Sequence, residues 1–187
     1  MDWEKTTPII HQGLPILVVC ALIEFGAGSF LGSIEENLAG PGIIIMVPPL
    51  LDLRGNIGGA MASRLGTGLH GGIIDSEKIW NPEVTNNLGA SSFLTLFTAT
   101  AVGFMAFGVS VLTGISTFSL HLLGKLVSIA VIASLLSNIG LMFLTIFISI
   151  FSFRRGWDPD NVTAPIIATI GDFLTAIAIY LSVLLVI

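Results

Sequence analysis

Residues 47–68 read VPPLLDLRGNIGGAMASRLGTG, placing Asp52, Arg54, Asn56 and Arg64 beside two prolines and a row of glycines. The rest of the chain makes this stretch anomalous. Of 187 residues, 53% are hydrophobic and only 10% charged, and mean hydropathy is +0.96, whereas about a quarter of residues are charged in an average soluble protein. Such a chain belongs in a bilayer. Four segments, Ile9 to Leu31, Leu94 to Ile115, Leu120 to Phe151 and Val162 to Ile187, are long and apolar enough to cross roughly 30 Å of hydrocarbon as helices of about 20 residues. Gly42 to Gly68 is a fifth, irregular candidate, and whether it crosses decides the topology.

The uninterrupted apolar run inside that candidate, Ile43 to Leu51, amounts to about 13 Å of helix, half a membrane. Pro48 and Pro49 remove two backbone donors and clash with the preceding turn, which predicts a break there. Polar residues follow at the depth of the break, and such groups are tolerated at membrane depth only inside protein or beside a watery cavity. Further on, Gly55, Gly59, Ser63 and Thr67 are spaced by four and form a small-residue row that another helix could approach closely. Two readings are open. Asp52 and Arg54 pair with each other or with Arg64 and hold a kink, or a broken helix flanks an ion route, as discontinuous helices do in transporters.

If the irregular segment crosses, the positive-inside rule gives an orientation. Lys5, Lys78, Arg154 and Arg155 then share one side with the N-terminus, in the cytoplasm. The acidic loop carrying Glu35 and Glu36 lies opposite, and Lys125 is an exception able to snorkel to the interface. The first segment does not read as a cleaved signal, because Asp2 and Glu4 precede it and Glu24 interrupts it. A single Cys20 allows neither an intrachain disulfide nor a cysteine metal cluster. The net charge of −5 argues against a nucleic-acid surface. Residues 70–92 read as a cytoplasmic loop with a short interfacial helix at DSEKIW, and residues 1–187 read as one membrane domain.

Two carboxylates fall inside the spans. Glu24 has Cys20, Ala21, Ala27 and Gly28 as helical neighbours, and Asp172 has Ala168, Thr169, Thr175 and Ala176, so both point from small-residue faces suited to packing inward. A carboxylate in hydrocarbon costs several kcal/mol, so each needs a reason to be there. One is a hydrogen bond to a neighbouring helix, for instance to Ser134, Ser137 or Asn138; the other is attraction of a cation. The donors on offer are carboxylate, amide, hydroxyl and carbonyl oxygens, with His11, His70 and His121 scattered at span edges. That set suits Mg2+, Ca2+ or Mn2+ better than zinc or copper. Because one Asp172 is thin for a divalent ion, a two-fold pair of chains supplying two carboxylates is the natural completion. No hydrolase motif, metalloprotease motif or phosphate-binding loop occurs, so the chain does not read as an enzyme.

The run VPPLLDLRGNIGGAMASRLGTGLHGG, residues 47–72, resembles the second-helix signature of the MgtE and solute-carrier 41 family of divalent-cation transporters. It carries the signature through Pro49, Leu50, Leu51, Leu53, Gly55, Asn56, Ala62, Ser63, Arg64, Leu65 and Thr67. DPDNVTAPIIATIGDF, residues 158–173, is similar to the motif that opens the family's last helix. The resemblance implies an all-α membrane protein, five transmembrane helices with a broken second one, assembled as a homodimer around a cation path on the two-fold axis. It implies Mg2+ or a related divalent ion as the transported ligand. Asp172 becomes the main ion-site carboxylate, Gly55 and Asn56 line the path, and Asp158 and Asp160 sit in the loop at its inner mouth. Thr169, and Glu24 through ion binding or proton coupling, complete the candidate metal site. MgtE proteins of bacteria add soluble sensor domains, and solute-carrier 41 proteins fuse two membrane units. This chain shows one unit, so a homodimer replaces the fused pair. The rival from another class is a non-transporting membrane subunit or scaffold whose buried polar residues serve helix association.

Overall fold

The computed structural model describes residues 3–38 and 40–187, the side chains of residues 3–6, 8, 9, 37 and 159–161 excepted. Every regular element among them is helical: α1 Trp3–Ser33, α2 Glu35–Leu38, α3 Ile43–His70, α4 Pro82–Leu112, α5 Leu120–Arg154 and α6 Pro159–Val186. α6 lies at the centre of the packing, against α5, α3 and α1. α4 covers α5 and α3 from the other side, and α1 reaches the bundle chiefly through α6. Four helical stretches, 10–33, 82–112, 120–154 and 162–186, are long and apolar enough to cross a membrane. Their outward faces carry large apolar side chains such as Phe25, Phe97, Met105 and Phe147, a contiguous surface of the kind that meets lipid. The chain is an integral membrane protein.

The break predicted at Pro48 and Pro49 is not present: α3 runs without interruption from Ile43 to His70, both prolines inside it. Two features explain this. The prolines sit less than two turns from the helix start and face outward, so only the first few carbonyls lose partners and no ring presses on a neighbouring helix. The buried residues Met46, Leu50, Arg54, Ile57, Met61 and Leu65 also follow a helical spacing through the proline pair, so packing on both sides of it fixes one continuous helix. At about 1.5 Å per residue α3 is some 42 Å long, enough to span, although its composition is not that of an apolar span.

Helix ends follow local chemistry. Asn81 caps α4 by accepting from Val84 N–H at 2.9 Å, with Pro82 at the first helical position, a favoured start. This carries α4 back to Pro82 from the predicted Leu94. DSEKIW, expected as a short helix, is a turn instead: Asp75 Oδ1 takes Glu77 N–H at 2.8 Å and its carbonyl takes Lys78 N–H at 3.1 Å, a local bond that competes with helix formation. Gly42, at φ 80°, makes the left-handed bend into α3, where a Cβ would also meet Leu126 Cδ1 at 2.8 Å.

The interior is divided. One apolar cluster gathers Ile43, Met46 and Leu50 of α3 with Leu126, Ile129 and Ala133 of α5 and Ile179 and Val183 of α6. A second joins Met61, Leu65 and Leu69 to Val84, Met142, Ile146 and Ile150. Between them lies a polar layer at Arg54, Ser134, Ser137 and Asn138, all buried. The small-residue row on α3 does not serve close packing within the chain. A Cβ on Gly55 or Gly59 would meet nothing within 4 Å, and Ser63 and Thr67 are exposed. The close approach comes one position aside, at Gly58, where a Cβ would lie 2.7 Å from Ile167 Cγ2 of α6.

Candidate cation site

The polar residues of the opening stretch divide between two faces of α3. Arg54 points inward and is 1% exposed; its Nη1 donates to the Ser134 carbonyl at 3.2 Å. Its Nε and Nη2 have no protein partner, and beside it lies a small cavity walled in part by Ser91, Asn138 and Thr145. Opposite, Pro49, Asp52, Asn56, Ala60, Ser63 and Thr67 are all exposed. At 100° per residue these fall within about 40° of Asn56 around the helix, forming one strip along most of its length. Asn56 Nδ2 donates to Asp52 Oδ2 at 2.8 Å.

The expected kink-holding pairs are not formed. Arg54 goes to α5, and Arg64 Nε donates to Asn87 Oδ1 of α4 at 2.6 Å. Neither arginine is hydrogen-bonded to Asp52, whose side chain accepts from Asn56 on the open strip. Asp52 is not among the expected site residues, since Arg54 two positions away offers it a partner. Its position on the Asn56 side of the helix was nonetheless readable from the 100° step.

Asp172 lies half-buried on α6, with Thr169 one turn before it and Thr175 one turn after it, both buried. Asp172 accepts no hydrogen bond from a described residue. The partners foreseen on α5 are committed elsewhere or point elsewhere: Ser137 Oγ donates to the Ala133 carbonyl at 3.0 Å, Asn138 Nδ2 contacts Met142 Sδ at 3.6 Å, and Ser134 Oγ has no partner. What Asp172 does face is negative charge: it interacts electrostatically with Glu24 of α1 and Asp52 of α3. Gly171, just before it, allows this placement. A Cβ there would lie 3.5 Å from Arg54 Cβ and 3.3 Å from Leu141 Cδ1, so α6 passes close to α3 and α5 at that level.

Glu24 is half-buried and lines an open cleft with Ala21, Phe25, Gly28 and Ser29. Of its foreseen small neighbours, Cys20 and Ala27 are buried, while Ala21 and Gly28 are exposed. Glu24 of α1 and Asp52 of α3 thus each lie within electrostatic reach of Asp172 on α6. Among the described residues no three His, Cys, Asp or Glu side chains stand close enough to hold an ion directly. A Cβ on Gly55, about 100° round α3 from Asn56, would meet open space. At the far end of α3, His70 Nε2 is 4.0 Å from Asp158 Oδ1 and its ring packs edge-on against Phe153. The side chain of Asp160 lies outside the described residues.

Comparison with known proteins adds a lineage to this geometry. A family model described as MgtE, divalent cation transporter, matches residues 47–183, from the first residue of VPPLLDLRGN to the last turn of α6. Mouse solute carrier family 41 member 2 is 37% identical over 181 residues, 88% of this chain and 30% of that protein. Mouse solute carrier family 41 member 3 is 32% identical over 136 residues, 71% of this chain and 27% of that protein. The human member 2 is 37% identical over 142 residues, 71% of this chain and 23% of that protein. The chain therefore spans less than a third of the length of these relatives, corresponding to one portion of each. With the family match covering α3 through α6 and every residue of the polar strip, the chain belongs to the MgtE and solute carrier 41 family.

Proposed function

We propose that this chain transports a divalent cation, Mg2+ first among them, across the membrane as a homodimer. The observation that carries the reading is the pairing of an open polar strip along α3, bearing Asp52, with a half-buried Asp172 that has Glu24 and Asp52 within electrostatic reach. A polar strip and unpaired carboxylates are costly against lipid, so the face that bears them is covered by protein and water. A second copy related by a two-fold axis does this with the commonest oligomer symmetry and doubles the carboxylates. In that arrangement α3 crosses the membrane as the fifth span, with the N-terminus cytoplasmic and the plasma membrane as host.

The chemistry then follows from donor type. Carboxylate repulsion is relieved by a cation, and a doubly charged ion relieves it most. Because the acidic groups do not close on one point within a chain, the ion is held mainly through its own water. Mg2+, which dehydrates reluctantly and binds through one or two carboxylates, suits such a site. Asp172 is its principal anchor. Asp52, aligned by Asn56, and Glu24 shape the approach; Thr169 supports the same turn of α6, and Gly55 leaves the route wide.

Two measurements test this. Mg2+ flux into proteoliposomes, followed with an entrapped indicator under imposed Na+ and pH gradients, should exceed that of protein-free vesicles; a scaffold gives none. In detergent, Mg2+ should raise the melting temperature more than equal ionic strength of Na+, since a ligand bound only by the folded state stabilises it. Asp52→Asn should lower flux several-fold and leave it measurable, because the charge it removes stands beside the principal anchor. Undiminished flux would take Asp52 out of the site.

A further inference from the structure

Arg64 is the one positive charge on the outward half of α3, and its placement raises a problem for a cation route. Eight residues from Asn56, it stands about 80° round the helix, at the margin of the polar strip, and it is exposed. A guanidinium free to lean over the strip would oppose a divalent ion with twice the repulsion that it would offer a monovalent one. The structure shows what holds it aside. Arg64 Nε donates to Asn87 Oδ1 at 2.6 Å. Asn87 in turn uses its Nδ2 twice, toward the Glu83 carbonyl at 2.9 Å and Glu83 Oε1 at 3.2 Å. Asn87 is 4% exposed, and both ends of its amide are engaged. The reverse orientation would set NH2 against the guanidinium and oxygen against the Glu83 oxygens, so the network admits one orientation only.

We propose that Asn87 is a positioning residue that draws Arg64 against the first turns of α4 and keeps its charge off the cation route along α3. Asn87 is suited to this because a neutral amide accepts from the arginine and, through its own donors, is oriented by Glu83. The inference rests on the transport reading above and adds to it a residue from a helix that the ion never touches.

The test is a rescue experiment in proteoliposomes at matched incorporation. Asn87→Leu removes the acceptor and should cut Mg2+ flux roughly tenfold, the effect of about one unfavourable charge contact. Adding Arg64→Met to Asn87→Leu removes the charge that was released and should return flux close to the native level. Asn87→Ser, which stays polar but is too short to bridge, provides a second background should the leucine variant fail to fold. Full flux in both Asn87 variants, or a double variant no better than the single one, would overturn the proposal while leaving transport intact. Absence of flux in the native protein would instead sink the transport reading, and this inference with it.

Discussion

Asp172→Asn should reduce Mg2+ flux to the level of protein-free vesicles while leaving the fold and membrane incorporation unchanged. The substitution keeps the shape of the side chain and removes its charge. Since Asp172 accepts no hydrogen bond from a described residue, no structural bond within the chain is lost. The charge is another matter. Two unit charges 4 Å apart attract by about 4 kcal/mol at an effective dielectric of 20. A divalent ion kept farther away by one layer of water still loses a few kcal/mol, equivalent to an affinity loss of at least roughly 100-fold. Loss of the anion also relieves the repulsion from Glu24 and Asp52, so the variant should be at least as stable as the native protein in a melting experiment without Mg2+. Loss of flux together with loss of stability would mean that Asp172 supports the bundle. Undiminished flux would move the anchor to Glu24 or Asp52.

The segments that build the bundle were readable in the sequence because a bilayer imposes a strong composition rule. The runs beginning at Ile9, Leu120 and Val162 became α1, α5 and α6 with ends shifted by a few residues. Pro82 to Phe93 were less readable: Asn86, Asn87, Ser91 and Ser92 looked like loop, yet the Asn81 cap and the burial of Val84, Asn87 and Ser91 against neighbouring helices carry α4 through them. The two prolines misled for a related reason. Proline's local penalty was visible, whereas the buried stripe from Met46 to Leu65 that outweighs it depends on what α5 and α6 present. At the site, Asp172 and Glu24 could be singled out because charges in apolar runs demand a reason. Their convergence with Asp52 could not be, since it depends on how α1 and α3 are arranged around α6. The small-residue row was correctly seen as a row, but which neighbour approaches α3 was set by Gly58, one position outside it.

Gly103→Ala should destabilise the protein, and Gly89→Ala, the same change in the same helix, should not. Alanine is the better helix former by about 1 kcal/mol, so propensity alone predicts that both substitutions stabilise. Packing separates them. A Cβ at Gly89 would meet nothing within 4 Å, whereas one at Gly103 would lie 2.6 Å from Val127 Cα and 3.1 Å from Val127 N. These are backbone atoms of α5 that no rotamer change can withdraw. The clash has to be relieved by moving α4 away from α5, along a seam that includes the buried Ala99, Val102 and Ala106 on one side and Ile129 and Ala130 on the other. Overpacking of this kind costs about 1–3 kcal/mol, which exceeds the propensity gain. In a chain of this size each kcal/mol shifts the melting temperature by about 2–4 °C. Gly103→Ala should therefore melt several degrees below the native protein in detergent, Gly103→Leu further below still, and Gly89→Ala at or above it. The consequence should extend to function, because α4 carries the Asn87 that holds Arg64 and α5 carries the Ser134 carbonyl that receives Arg54. Equal melting of the two alanine variants would show that α4 and α5 do not meet at Gly103 and Val127, and the polar layer built on their contact would have to be redrawn.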